Sequence, residues 1–113
     1  MKSSLDWETF ESVQMEVGIV VNAVPFPEAK QPAIILHVDF GDKRGILKTS
    51  AQITHRYQPK TLIGKCVVGV VNFPPKQIGP FRSEFLLLGA LDAENGTALV
   101  TIDASVPLGS RIA

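Results

Sequence analysis

Residues with the chemistry that catalysis or metal binding needs are scarce in this chain. It has one cysteine, Cys66, which excludes an internal disulfide and a cysteine-rich zinc site. Its two histidines form no HExxH pattern, and glycine-rich phosphate-binding loops are absent. We therefore predict a protein that is not an enzyme and has no catalytic residues, metal or cofactor. Cys66 is expected to fill core volume as a small apolar side chain.

Long apolar segments are also missing. The longest runs, such as Phe85 to Leu88, are far shorter than the roughly 20 residues that span a bilayer. The first residues lack the apolar centre of a secretion signal. With 113 residues, 45% of them hydrophobic, the chain can form one compact domain over residues 1–113. These features predict a cytoplasmic protein without membrane insertion.

The total charge is zero, but the charges are distributed unevenly. Eight of the eleven basic residues lie between Lys43 and Ser83, a segment without Asp or Glu. The other three basic residues and all eleven acidic ones lie outside it, giving +8 in the middle and −8 in the flanks. Such asymmetry indicates an anionic partner for the middle segment. The alternative is a mixed surface, in which the fold brings the acidic flanks beside the basic middle.

Apolar residues alternate with polar ones along most of the chain, which is typical of half-buried strands. This pattern predicts strands over residues 15–23, 33–40, 46–50, 66–73, 85–91 and 97–102. We expect a bulge or bend at Gly18, inside the first strand. Short helices are predicted over residues 6–13 and 58–64, the second with Pro59 in its first turn and Gly64 after its end.

This order of elements predicts an all-β fold, a five-stranded OB-fold barrel with short helices and terminal extensions. A β-sandwich is the alternative, because turn signals about every 8–12 residues fit that fold too. Closure into a barrel is favoured because strands as apolar as residues 66–73 are poorly suited to an unpaired edge.

Two polar clusters in the basic segment are candidates for binding an anionic ligand. The first runs from Asn72 to Glu84, where three prolines predict a stiff, extended loop that loses little entropy on binding. It offers Lys76, Gln77 and Arg82 to phosphate and sugar oxygens. A rigid structural connection explains the same residues equally well.

The second cluster begins on the third predicted strand and continues to Tyr57. This region of an OB-fold belongs to its usual oligonucleotide surface. Charge and hydrogen bonds are available from Lys48, Ser50, Gln52 and Arg56. A ladder of exposed aromatic side chains for stacking successive bases is missing, and the phenylalanines mostly fit core positions. The pattern favours a folded RNA backbone over a splayed single strand.

Five stretches closely resemble the CsaA family: residues 5–10, 38–41, 50–54, 70–84 and 106–113. The resemblance covers nearly the whole chain, and residues 70–84 are its most specific part. CsaA proteins belong to a wider group of tRNA-binding domains that includes an appendix of some methionyl-tRNA synthetases. The resemblance implies an OB-fold with terminal extensions, a homodimer, and recognition of tRNA by its shape. It also implies, as the alternative, a protein-export chaperone that binds unfolded polypeptides or preproteins.

The resemblance also implies which residues contact tRNA. The matching polar positions are Lys48, Ser50, Gln52, Asn72, Lys76, Gln77, Arg82 and Ser83, and the polar pattern adds Arg56. One position departs from the family, since Glu16 stands where relatives commonly carry a basic residue. We therefore expect no basic contact from the first strand and a weaker affinity for tRNA. Binding of tRNA is the first hypothesis and chaperoning of polypeptides the second.

Overall fold

The computed structural model describes residues 3–113. In chain order the elements are α1 (Trp7–Glu11), β1 (Met15–Pro25), β2 (Ile34–Asp39), β3 (Ile46–Ala51), α2 (Pro59–Leu62), β4 (Cys66–Val70), β5 (Lys76–Ile78), β6 (Phe81–Ser83), β7 (Leu86–Leu87), β8 (Gly89–Ala90) and β9 (Ala98–Leu99). Within this described range, no helix is long and apolar enough to cross a membrane.

Five strands form one antiparallel sheet in the order β3-β2-β1-β4-β7. The sheet curls until its two ends meet. The amide of Glu84 donates to the carbonyl of Lys48 in β3 over 2.8 Å, and the Thr49 hydroxyl donates to the carbonyl of Phe85, also over 2.8 Å. The result is a nearly closed OB-fold barrel, which confirms the predicted fold class and excludes the β-sandwich.

The core lies inside this barrel, and β2 illustrates how the sequence builds it. Its alternating residues Ile34, Leu36 and Val38 are fully buried, as the two-residue period predicts. Phe40 follows them into the core and packs edge-on against Phe85, with the ring centroids 5.0 Å apart. The short helix α2 adds Leu62, whose side chain is fully buried as well.

Strand β1 contains a bulge, but not where we expected it. Its pairing with β2 shifts register between Val20 and Asn22, so Val21 is the extra residue. Val20, before the bulge, is buried, Val21 is exposed, and Ala23 beyond it is buried again. The alternation of apolar residues along the sequence does not reveal the extra residue, because the register of a bulged strand depends on its partner.

Gly18 serves close packing instead. A Cβ atom at this position would lie 2.5 Å from the Val38 side chain and 2.9 Å from the Phe40 ring. Glycine therefore lets β1 approach the core face of β2 and the ring that follows it.

The later predicted strands are shorter than expected. The single strand predicted over 85–91 is divided, because β7 pairs with β4 while β8 pairs with β9, and a chain that changes partner must bend. Strand β4 ends at Val70 rather than at residue 73, before the prolines at 74 and 75. Cys66, at the start of β4, is half-buried rather than fully inside the core.

Candidate functional site

Residues 76–83 form a β-hairpin, not the extended loop predicted from the prolines. Strands β5 and β6 pair through Lys76 with Ser83, Gln77 with Arg82, and Ile78 with Phe81. The turn contains Gly79, whose φ of 58° favours glycine. Pro74, Pro75 and Pro80 lie outside the paired residues, so their missing N–H groups do not interrupt the pairing.

The hairpin is docked against β3 and the loop that follows β1. The ring of Phe81 lies 5.4 Å from the ring of Phe26, measured between centroids, and the Nζ of Lys48 lies 5.3 Å from the Phe81 centroid. Glu84 binds the backbone of Lys48 twice: its amide donates to the Lys48 carbonyl, and its carboxylate accepts from the Lys48 amide over 3.0 Å. These contacts hold the hairpin beside the barrel wall.

A groove of about 700 Å³ opens between β3 and the β5–β6 hairpin. We call it the hairpin groove. Its polar lining consists of Thr49, Ser50, Lys76, Gln77 and Ser83. In an OB-fold, the face of the second and third strands with the adjoining loops binds oligonucleotides. The groove lies on that surface and brings together two segments that are distant in the sequence.

Four of the nine predicted site residues line this groove: Ser50, Lys76, Gln77 and Ser83. Lys48 does not line the groove but directly precedes the lining residue Thr49 on β3, and exposed Arg82 lies opposite the lining residue Gln77 in the hairpin. Gln52 lies just after β3 and lines a second cavity of about 910 Å³, which the loop after β1 also borders.

Arg56, in contrast, is engaged elsewhere. Its Nε donates to the carbonyl of Gly96 over 2.7 Å, and its guanidinium pairs with the Asp92 carboxylate over 2.8 Å. Arg56 therefore holds the turn between β8 and β9, and its charge is already paired.

Asn72 also makes contacts within the fold. Its Oδ1 accepts from the amide of Gln14 over 3.0 Å, and its Nδ2 donates to the carbonyl of Ser12 over 2.7 Å. The side chain joins the segment after β4 to the segment before β1. Residues 71–73 are thereby held in place at the edge of the hairpin groove.

The mixed-surface alternative is correct for two of the eight basic residues in the middle segment. Arg44 pairs with Glu16 and Arg56 with Asp92, each over 2.8 Å. The other six form no ion pair with any of the eleven acidic side chains, all of which lie within residues 3–113: Lys43, Lys48, Lys60, Lys65, Lys76 and Arg82. Of these six cations, Lys76 lines the hairpin groove, and Lys48 and Arg82 are sequence neighbours of its lining residues Thr49 and Ser83.

Glu16 has a structural role that explains its charge. Its carboxylate is buried and accepts from the Arg44 guanidinium at both oxygens, over 2.8 and 2.9 Å, and from the Gln14 amide over 2.7 Å. Hydrogen bonds from Arg44 lower the pKa of Glu16, and the same bonds raise the pKa of Arg44. The pair joins β1 to the turn before β3, and it leaves neither charge free for a ligand.

Sequence reasoning missed Phe73, which we had placed at the end of a buried strand. Its side chain is 55% exposed and lines the hairpin groove. Of the six phenylalanines, all within the described residues, only Phe73 is this exposed. The signal that could have revealed it is the Pro-Pro pair directly after it, which ends the strand and turns the chain away from the core.

Comparison with known proteins gives consistent results. Residues 15–111 match the model of a family described as "Putative tRNA binding domain". The crystal structure of chaperone CsaA from Bacillus anthracis is 40% identical, covers 98% of this chain and 100% of that chain, and has a TM-score of 0.93. The CsaA chaperone protein from Picrophilus torridus is 43% identical over 97% of this chain and 100% of that chain, with a TM-score of 0.91.

A curated relative is much longer. Methionine–tRNA ligase from Methanocaldococcus jannaschii is 32% identical over 108 residues, which are 96% of this chain and 16% of the ligase. The chain therefore spans about one sixth of the length of that relative.

Proposed function

The chain belongs to the putative tRNA-binding-domain family as a CsaA-like member, and from that premise we propose that it binds folded tRNA along the hairpin groove. The observation that carries this proposal is a set of three unpaired cations on the oligonucleotide-binding face of an OB-fold: Lys76 lines the hairpin groove, and Lys48 and Arg82 directly precede its lining residues Thr49 and Ser83. The family is of a binding type, and we propose a cytoplasmic, non-catalytic role.

The contacts in this proposal are made mainly to the RNA backbone. Lysine and arginine bind phosphate oxygens, and hydroxyl and amide groups such as those of Ser50 and Gln77 suit ribose hydroxyls. Such contacts position a nucleic acid without reading its sequence. The protein should therefore bind many tRNAs with similar affinity.

The test is the salt dependence of tRNA binding by the unmodified protein. If the three cations at the hairpin groove contact phosphates, the affinity should fall with the salt concentration to a power of roughly 2 to 2.7, at ~0.7–0.9 per contact. Between about 50 and about 200 mM salt, this amounts to a loss of roughly 20- to 40-fold. Filter binding of mixed tRNA at several salt concentrations measures the slope. A flat response contradicts the proposed function.

A second function, the chaperoning of unfolded polypeptides or preproteins, is favoured by the apolar part of the groove. Phe73 and Leu86 are 55% and 48% exposed there, and such side chains suit an apolar peptide segment. Binding of that kind should hold or strengthen as salting-out ions are added, because they favour apolar burial. The salt titration therefore separates the two functions.

We also propose that the protein is a homodimer. Leu5 and Trp7 are 66% and 81% exposed, and with Phe10 and Ala113 they line a depression formed by the two ends of the chain. A two-fold interface would bury these side chains and present two hairpin grooves on one particle. Light scattering should return about twice the 12.2 kDa mass of the chain. A mass near 12.2 kDa at micromolar concentration contradicts the dimer.

A further inference from the structure

The hairpin groove combines a polar rim with an apolar wall that includes an exposed aromatic ring. The wall contains Phe73, Ile78 and Leu86. Two aromatic pairs are formed within the described residues, Phe26 with Phe81 and Phe40 with Phe85. Phe73 belongs to neither pair, and more than half of its side chain is open to solvent. Its ring is available to a ligand in the groove.

The backbone that carries this ring is held rigidly. The amide of Val71 donates to the carbonyl of Gln14 over 2.9 Å, and the Asn72 side chain binds both Ser12 and Gln14. Two prolines follow directly, and each restricts φ to a narrow range. A ring on such a segment loses little conformational freedom when a ligand stacks on it.

The charges around the ring indicate the chemistry of the ligand. Lys76 follows Phe73 by three residues and lines the same groove, and Lys48 directly precedes the lining residue Thr49 on β3. Both are without an acidic partner among residues 3–113. The ligand that suits this ring and these cations has a flat apolar face next to an anionic group. A single nucleotide has both, in its base and its phosphate. An apolar peptide segment lacks the anion, and a phosphate backbone alone makes no use of the ring.

We propose that the hairpin groove holds one unpaired nucleobase of the bound RNA, stacked on Phe73, with the phosphate of that nucleotide on Lys76. This inference rests on the proposed function and adds a selective element to it. Phosphate and sugar contacts alone do not distinguish a perfect duplex from a folded RNA with bases turned outward. The Phe73 ring distinguishes the two, because only a base that is no longer stacked within a helix can stack on the ring.

The experiment compares two short RNA duplexes that carry the same phosphates. Each has one bulged nucleotide, which bears a base in the first duplex and is abasic in the second. We expect the unmodified protein to bind the base-bearing duplex roughly 5- to 150-fold more tightly, the range found for one stacked base. Phe73→Ala should remove this difference and leave the affinity for the abasic duplex unchanged, while Phe73→Tyr should preserve it.

Ile63→Ala is the matched control. Ile63 is 51% exposed, close to the exposure of Phe73, and it lies after α2, outside the lining of the hairpin groove. This substitution should alter neither affinity. Equal binding of the two duplexes by the unmodified protein, or a base dependence that survives Phe73→Ala, overturns the inference. The inference is also overturned if Phe73→Ala weakens the binding of an uncharged apolar peptide but not the binding of either RNA.

The same RNAs distinguish failure of this inference from failure of the proposed function. Binding of both duplexes with a steep salt dependence but no preference for the base retains tRNA binding and removes only the stacking site. Binding of neither duplex nor of tRNA at about 50 mM salt, where phosphate contacts are strong, contradicts the proposed function itself.

Discussion

Replacing Lys48, Lys76 and Arg82 together with glutamine is expected to lower the affinity for tRNA about 100-fold at ~0.15 M salt. Each phosphate contact adds ~0.7–0.9 to the exponent that relates affinity to salt concentration. At ~0.15 M salt, one contact therefore raises the affinity roughly fivefold relative to 1 M salt, and three contacts raise it about 100-fold. Glutamine keeps the first two methylenes and a polar end, and at position 48 it leaves the two backbone bonds to Glu84 in place. The loss therefore reports the charges of the hairpin groove.

The matched control replaces Lys43, Lys60 and Lys65 with glutamine. These three lysines are exposed and also lack an acidic partner within residues 3–113. They neither line the hairpin groove nor stand next to a residue that does. The net charge changes by the same amount in both triple variants. Filter binding should show a change of about twofold or less for the control, since it removes no phosphate contact. Equal losses in the two variants would mean that overall charge, rather than this groove, attracts the RNA.

Phe40→Ala should lower the free energy of unfolding by about 3–5 kcal/mol, the usual loss when a buried phenylalanine is truncated. The ring is 1% exposed and packs edge-on against Phe85. The ring is also packed closely against the backbone of β4, since a Cβ on Gly69 would lie 3.0 Å from it. Removing the ring would therefore leave a cavity beside this strand. For a small domain, such a loss is a large part of the total stability.

Urea denaturation measures this effect through the transition midpoint, provided that the slope is unchanged. Phe73→Ala is the control, because it removes the same atoms from a ring that is 55% exposed. We expect it to lower stability by about 0.5 kcal/mol or less, as at other surface positions. A loss below about 1 kcal/mol for Phe40→Ala would contradict the central place of this ring in the core.

The elements that could be predicted are those whose signals lie within one segment. The alternation of Ile34, Leu36 and Val38 specified both the strand and its buried face. Pro59 and Gly64 marked the beginning and end of α2, and Gly64 has the positive φ of 89° that only glycine adopts easily. Each of these features depends on neighbouring residues and on local geometry, which the sequence contains.

The candidate site was predicted in part for the same reason. Residues 48–52 and 76–83 are polar and basic, and this could be read directly from the sequence. Their meeting across the hairpin groove follows from closure of the barrel between β3 and the segment that includes Glu84. The resemblance to a family predicted that both segments bind the ligand. The local sequence pattern alone did not decide whether residues 76–83 form a binding loop or a structural connection.

The sequence by itself determined an all-β chain with a basic middle, because alternation and charge are local properties. Tertiary structure alone decided which charges remain free, since Arg44 and Arg56 meet Glu16 and Asp92 across 28 and 36 positions of the chain. It also decided the bulge at Val21, because register depends on the partner strand. The place of Phe73 in a groove is of the same kind, because the other walls of that groove come from β3 and the hairpin, which are distant in the sequence.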